Sequence, residues 1–483
     1  MNANKAITER AQEEKSKLRR VMGLRDLVLF YTISVVGLRW VPAASTIGPR
    51  AILLWVLAFC CFFIPQALTV NELSSRYPEE GGIYIWVKRA FGSFHAFMAG
   101  WSYWMTNIFI FPSVLLFGAS NVAHGVPQFS HLAASKAFLV AIAVSAILIA
   151  VTLNIVGLHI GKWLHNAAGS LGTWLTAAIL IVLGIVAWLK FGPATNFNLS
   201  DLNPRLSRVS DIALLANIAF AFAGLESASS MSEEVRDPKR NIPRALLLSG
   251  VIITFIYILG TVTLLLALPQ DKTTKLVGII DAVRATGERI GGVALAANLG
   301  SLVALLVFIA EIGNLGAWMA AIARLPFVAG IDGFLPKAFT HIHPRWHTPY
   351  VALLVQGTAI GLLLVLALAG QKAEQAYSTL VSLGIIIYFI PYLYMFASLL
   401  ALQKEPRAEN VVRLPGGRAG AYIAGATGFL VTALSIGLSC VPGSDLENKT
   451  TFFATILGGV GVTLSIAAVV YLLGKRRTTS PIG

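Results

Sequence analysis

Three ionisable residues lie inside stretches long and apolar enough to cross a bilayer. Arg39 interrupts the run Leu27 to Ala44, Glu226 follows "FAFAGL", and Glu311 sits in "FIAEIGNLGAW". A charged side chain at the bilayer centre costs about 3 kcal/mol on insertion scales, so each needs a partner, water or a task. A guanidinium can hold a carboxylate through two parallel hydrogen bonds, and two carboxylates near one arginine can pair with it. Glu311 precedes Trp318 by seven residues, about two turns along a similar helix face.

Two of these charges stand beside sequence that interrupts a helix. The first break reads Gly37–Leu38–Arg39, in "SVVGLRWVP", and the second reads Ala223–Gly224–Leu225–Glu226. An unwound turn frees backbone N–H and C=O groups that cannot stay unsatisfied in hydrocarbon. A bound solute can satisfy them, and the N-terminal end of a half-helix suits a carboxylate. One glycine alone is ordinarily a tight helix crossing. Two breaks, each beside an ionisable residue, point instead to a binding site.

Arg39 has three readings on this evidence. It pairs with Glu226 or Glu311, it meets an anionic group of a solute, or it snorkels to the outer interface. Glu226 is either a paired or proton-coupled carboxylate or a helix-packing hydrogen-bond acceptor.

The elements that must hold these residues are helices. The chain has 483 residues, 56% of them hydrophobic and only 12% charged, about half the charge of a soluble domain. The apolar residues come in blocks near the ~20 needed to cross ~30 Å of hydrocarbon, and they do not alternate as barrel strands do. Approximate spans are 26–47, 51–74, 93–120, 137–156, 166–190, 211–231, 245–268, 292–323, 349–369, 377–402, 420–440 and 451–474. The fold class is therefore an all-α polytopic membrane protein of about twelve spans.

The broken spans are the first and the sixth. That spacing implies two inverted five-helix repeats, with two helices appended. The expected organisation is an N-terminal tail 1–25, a core 26–402 (repeats 26–190 and 211–402), appended helices 403–474 and a C-terminal tail 475–483.

The net charge of +14 is a topology signal. With loops placed alternately on the two sides, 25 of the 37 Lys and Arg fall on one side and 11 on the other. Cytoplasmic loops are enriched in these residues, so both termini are expected inside, in a bacterial inner membrane. No nucleic-acid partner is needed to explain the charge. The N-terminal tail lacks the apolar core of a secretory signal.

Enzyme motifs are missing: there is no G-x-S-x-G, Walker loop or zinc motif. "HIHPRWH", His341 to His347, reads as a solvated loop rather than a metal cluster. Cys60, Cys61 and Cys440 lie in or beside apolar runs and define no disulfide framework. Asn198 and Asn448 begin N-x-[ST] sequons. Neither an enzyme nor a cofactor is expected.

The stretch "FAFAGLESASSMSEEVRDPKRNIPRA", Phe220 to Ala245, resembles the sixth-span signature of the amino acid–polyamine–organocation superfamily. "FAGLESAS" and "RDPKRNIP" are especially similar to the arginine–agmatine antiporters. "YPEEGGIYIWVKRAFG" (Tyr77 to Gly92), "LGAWMAAIARLPFVAGIDGFLPKAF" (Leu315 to Phe339) and "RLPGGRAG" (Arg413 to Gly420) resemble other family regions, the last particularly in the glutamate–GABA antiporters.

The resemblance implies a secondary active transporter of amino acids or related amines, working by alternating access as antiporter or proton-coupled symporter. The alternative is a non-transporting sensor or channel-like homologue of the same fold. It implies a small-molecule amino acid or amine partner, a lipid bilayer, and a monomer or homodimer. Ser34, Gly37, Arg39, Phe220, Ala223, Gly224 and Trp318 are the expected substrate-binding residues. Glu226 and Glu311 are the expected gating or proton-coupling residues.

Departures from the family pattern are also visible. The usual Gly-x-Gly of the first break, whose backbone meets a substrate carboxylate, reads Gly37–Leu38–Arg39 here. No clear counterpart of the span-5 lysine is found, since Lys162 reads as a loop charge. The C-terminal extension that plugs the glutamate–GABA antiporters is not expected.

Overall fold

A computed structural model describes residues 22–479, apart from 78, 80, 157, 199–200, 202–208, 228, 230–234, 324–325, 327–333, 370–371, 406–413 and 443–448. Most of the expected N-terminal tail, the last four residues of the C-terminal tail, the sequon at Asn448 and the start of "RLPGGRAG" lie outside the described residues, as does the side chain of Lys162.

The described chain is α-helical, with no strand; its one isolated β-bridge joins Met22 to Val235. Helix α1 (Leu24–Val35) opens where the Asp26 carboxylate accepts the Gly23 N–H at 2.9 Å, a negative group in the first turn that suits the helix dipole. It stops after Val35, and α2 (Trp40–Ser45) resumes the span. The second span runs from α3 (Arg50–Ala58) through a π-helical turn (Phe59–Phe63) into α4 (Ile64–Arg76).

Next come α5 (Ile83–Phe91), a short helix between spans, α6 (Ser93–Gly125), α7 (Lys136–Val156) and α8 (Leu158–Phe191). The sixth span begins as α9 (Val209–Ala221) and breaks there. The remainder is α10 (Pro238–Ala267), α11 (Gly278–Ile322), α12 (Tyr350–Leu368), α13 (Ala373–Leu402), α14 (Gly417–Ser439) and α15 (Lys449–Thr479).

Among the described residues, ten helical stretches are long and apolar enough to cross a membrane, and the two broken spans complete twelve. The expected outer loop 269–291 differs: its second half is helical and joins the eighth span through a bend at Gly291–Gly292, where Gly292 takes φ 78°. Its charges Asp281, Arg284, Glu288 and Arg289 suggest a loop, but Ile279, Ile280, Val283 and Thr286 form a buried face at helical spacing.

Burial separates centre from rim. In α6, 83% of the most apolar window is buried, against 22% in α15. Helices α6 and α13, the latter 67% buried over its window, therefore run through the middle and reach the sixth-span break. Helix α11, 39% buried over its window, packs one face on the first break. The appended helices turn Ile423, Leu430 and Leu457 outward, as a lipid-facing surface requires. The two broken spans are tied at one end, where the Arg236 N–H donates to the Met22 carbonyl at 2.9 Å.

Candidate functional site

Both breaks lie where the sequence places them. After Val35 the chain is extended at Val36 (φ −70°, ψ 101°), and helix resumes at Trp40. After Ala221 it unwinds through Phe222, Ala223 and Gly224. Gly224 has φ 124°, and a Cβ there would approach Val35 to 3.1 Å and Trp318 to 3.2 Å. The position needs glycine for its backbone angle and for the closeness of the two breaks.

Side chains from unbroken helices occupy much of the freed backbone. The Tyr257 hydroxyl, on α10, accepts the Gly37 N–H at 3.1 Å and lies 2.7 Å from the Val35 carbonyl and 2.9 Å from the Ala221 carbonyl. One hydroxyl thus clasps both breaks. On α11, Asn314 Nδ2 donates to the Ile33 carbonyl at 3.2 Å, and Trp318 Nε1 donates to the Ser34 carbonyl at 2.9 Å. Glu311 lies one turn before Asn314, with Oε2 3.8 Å from Arg39 Nη1. Residues 311, 314 and 318 share one helix face, and that face contacts the first break three times.

Glu226 sits in a closed cage. Its Oε1 accepts from the Tyr103 and Tyr388 hydroxyls, the latter at 2.8 Å, and its Oε2 accepts from Gln66 Nε2 at 3.1 Å and from the Tyr392 hydroxyl. Tyr392 also accepts the Gly224 N–H at 2.7 Å and a Gln66 N–H at 2.8 Å. The cage ties span 2, span 3 and span 10 to the sixth-span break. Tyr388 and Tyr392 reach it together because four residues is one helical turn.

Between the breaks lies a small cavity. Its polar wall includes Ser34, Arg39, Thr106, Asn107, Asn314 and Tyr388. Its apolar wall includes Trp40, Ile110, Phe111, Val114, Phe220 and Trp318. Val35, Gly37 and Ala223 complete the contribution of the two breaks. Phe220 packs edge to face against Trp40 at 5.5 Å and against Tyr388 at 5.2 Å.

Six of the seven expected substrate-binding residues line this cavity, and Gly224 stands behind Trp318. Glu226 and Glu311 are buried but are not among the lining residues. Arg39 is 6% exposed, with its guanidinium 4.7 Å from the Trp40 ring centre, so it does not reach out to an interface. Its carboxylate neighbour is Glu311 and not Glu226.

Sequence reasoning missed Asn107, Asn314, Tyr257 and the tyrosines of the cage. Asn314 was within reach, because it falls between Glu311 and Trp318 at helical spacing. Tyr257 and Tyr392 carry no such signal, since a tyrosine in an apolar span is ordinarily packing. Among the described residues no group of three His, Cys, Asp or Glu side chains could hold a metal. In "HIHPRWH" the His343 ring stacks on Trp346 at 4.3 Å.

A multi-pass helical protein with two broken spans facing one cavity is built like a membrane carrier. The amino acid permease family model matches residues 22–462, and the chain belongs to that family. Among curated relatives, a probable agmatine/putrescine antiporter of Lactococcus lactis subsp. lactis is 22% identical, covering 83% of this chain and 84% of its own. A glutamate/gamma-aminobutyrate antiporter of the same organism is 24% identical, covering 90% and 87%. A serine/threonine exchanger of Bacillus subtilis is 25% identical, covering 83% and 88%.

Proposed function

We propose that the chain is a secondary active transporter that carries amino acids or related amines across the cytoplasmic membrane by alternating access, with the cavity between the breaks as its substrate site. The observation that carries this reading is that both broken spans and α11 contribute Ser34, Gly37, Arg39, Phe220, Ala223 and Trp318 to one cavity. Coupling is by exchange or by protons. Glu226 is the gating or coupling carboxylate, a role supported by a cage that joins four spans and would have to rearrange whenever the sixth span moves. Glu311 backs Arg39 and shares that role. The excess of Lys and Arg on one side supports cytoplasmic termini, and the two five-helix repeats frame the site.

Reconstitution tests the reading. Liposomes containing the purified protein and loaded with unlabelled solute should accumulate the labelled solute by counterflow. A protein that binds the solute in detergent yet supports neither counterflow nor net uptake is a sensor of the same fold, and the carrier reading falls. Glu226→Gln should shift the pH dependence of uptake; an unchanged profile removes Glu226 from coupling.

A further inference from the structure

Resting on that carrier reading, we propose that the cavity is built for zwitterionic amino acids with apolar side chains, and that the Arg39 guanidinium, not the backbone of the first break, holds their carboxylate. Four polar groups in this region carry the argument.

The first is the break itself. Its Gly37 N–H donates to Tyr257, and the Ser34 and Val35 carbonyls accept from Trp318 and Tyr257. The donor that Gly37 would offer a carboxylate is therefore taken. The residue two places on is an arginine, whose planar fork matches a carboxylate.

The second is Arg39. It is buried, lines the cavity, and its Nε and Nη1 have no hydrogen-bond partner. Its contact with Glu311, at 3.8 Å, is an ion pair too long for a hydrogen bond. Buried donors on a charged group are costly to leave unpaired, so the fork is poised for an acceptor.

The third and fourth are the Asn107 Oδ1 and Ser34 Oγ atoms, also buried, also lining the cavity and also without a partner. Both can accept from an ammonium group. The rest of the wall, with Ile110, Phe111, Val114, Trp40 and Phe220, offers apolar surface to a side chain.

Charge balance selects among solutes. Among the described residues that line the cavity, Arg39 is the only charged one, and Glu311 beside it brings the local sum to zero. Glu226 offers a solute no open oxygen, because both its oxygens already accept two hydrogen bonds each and neither lines the cavity. A zwitterion preserves the neutral sum. A dication such as putrescine or agmatine would bring two positive charges to a guanidinium with no unoccupied carboxylate to meet them.

The test uses the purified full chain in lipid nanodiscs, with ligands titrated by thermal shift and calorimetry. L-phenylalanine and L-leucine should stabilise the parent. Phenethylamine, which lacks the carboxylate, and 3-phenylpropionate, which lacks the ammonium, should each bind at least about tenfold more weakly than L-phenylalanine, as loss of one charged hydrogen-bond partner implies. Arg39→Gln should weaken L-phenylalanine by about tenfold or more and leave phenethylamine nearly unchanged, while Arg39→Lys keeps part of the affinity. Asn107→Leu should weaken L-phenylalanine and leave 3-phenylpropionate nearly unchanged.

Putrescine or agmatine binding more tightly than either amino acid overturns the proposal. So does phenethylamine matching L-phenylalanine on the parent, a comparison that needs no variant to fold, and so does no stabilisation by either amino acid at millimolar concentration. Counterflow separates the two readings. Exchange of putrescine without binding of amino acids keeps the carrier and overturns the zwitterion site. Arg39-dependent binding of L-phenylalanine without counterflow of that amino acid keeps the site and overturns the carrier.

Discussion

Glu226 and Arg39 are both buried charges beside a broken helix, and their surroundings are opposite. Glu226 has each carboxylate oxygen accepting two hydrogen bonds, from tyrosines and a glutamine on three other spans. Arg39 has one ion-pair contact at 3.8 Å, an aromatic ring against its guanidinium, and nitrogens without a hydrogen-bond partner. A saturated buried charge holds its neighbours in place. An unsaturated one keeps binding capacity in reserve. The same pair of breaks thus uses one charge to assemble helices and leaves the other facing the cavity.

The strongest test of that contrast is Glu226→Ala. It strips the acceptor from three tyrosine hydroxyls and Gln66, and should destabilise the protein by about 3 kcal/mol or more, read as a fall in the thermal unfolding temperature in nanodiscs. Arg39→Gln should cost clearly less on the same assay. Equal losses would erase the distinction between the two charges.

Tyr257→Phe comes next. It removes the hydroxyl that clasps both breaks, leaving the Gly37 N–H and two carbonyls short of a partner, and should cost about 2 kcal/mol. A change below about 0.5 kcal/mol, the level of ordinary surface substitutions, would mean that the breaks hold their shape without it.

A double-mutant cycle on Arg39→Gln and Glu311→Gln should show a coupling of about 1 kcal/mol, because the two charges are close but not hydrogen-bonded. Coupling near zero would detach Glu311 from the site. The smallest effect is expected at the surface. Arg89 and Glu79 lie 2.5 Å apart, but their side chains are 43% and 48% exposed. Arg89→Ala should change stability by no more than about 0.5 kcal/mol. A larger loss there would show that contact distance, rather than burial, ranks the charges in this protein.

The helical class, the span count and both breaks were legible in the chain, because hydrocarbon imposes a length and a composition on any segment that crosses it. Gly37 and Gly224 were legible for the same reason: a glycine with a charge close behind it weakens an apolar helix twice over, once in the backbone and once in the side chain. The helix within 278–290 was not, because four charges in a short segment look like loop until its inner face finds something to pack on.

Sequence also picked out Arg39, Glu226 and Glu311 as charges within the spans, and all three are buried, since the cost of burying them is a property of the residue and not of the fold. Which charge meets which partner was decided by tertiary structure alone. Gln66, Tyr103, Tyr388 and Tyr392 converge on Glu226 from three spans up to 326 residues apart in the chain, and no local pattern records that meeting. The same holds for Tyr257, which reaches Gly37 across 220 residues. A hydroxyl in a membrane helix is silent until packing shows which backbone group it must satisfy, and only then does the arginine beside the break stand out as the charge left with donors to spare.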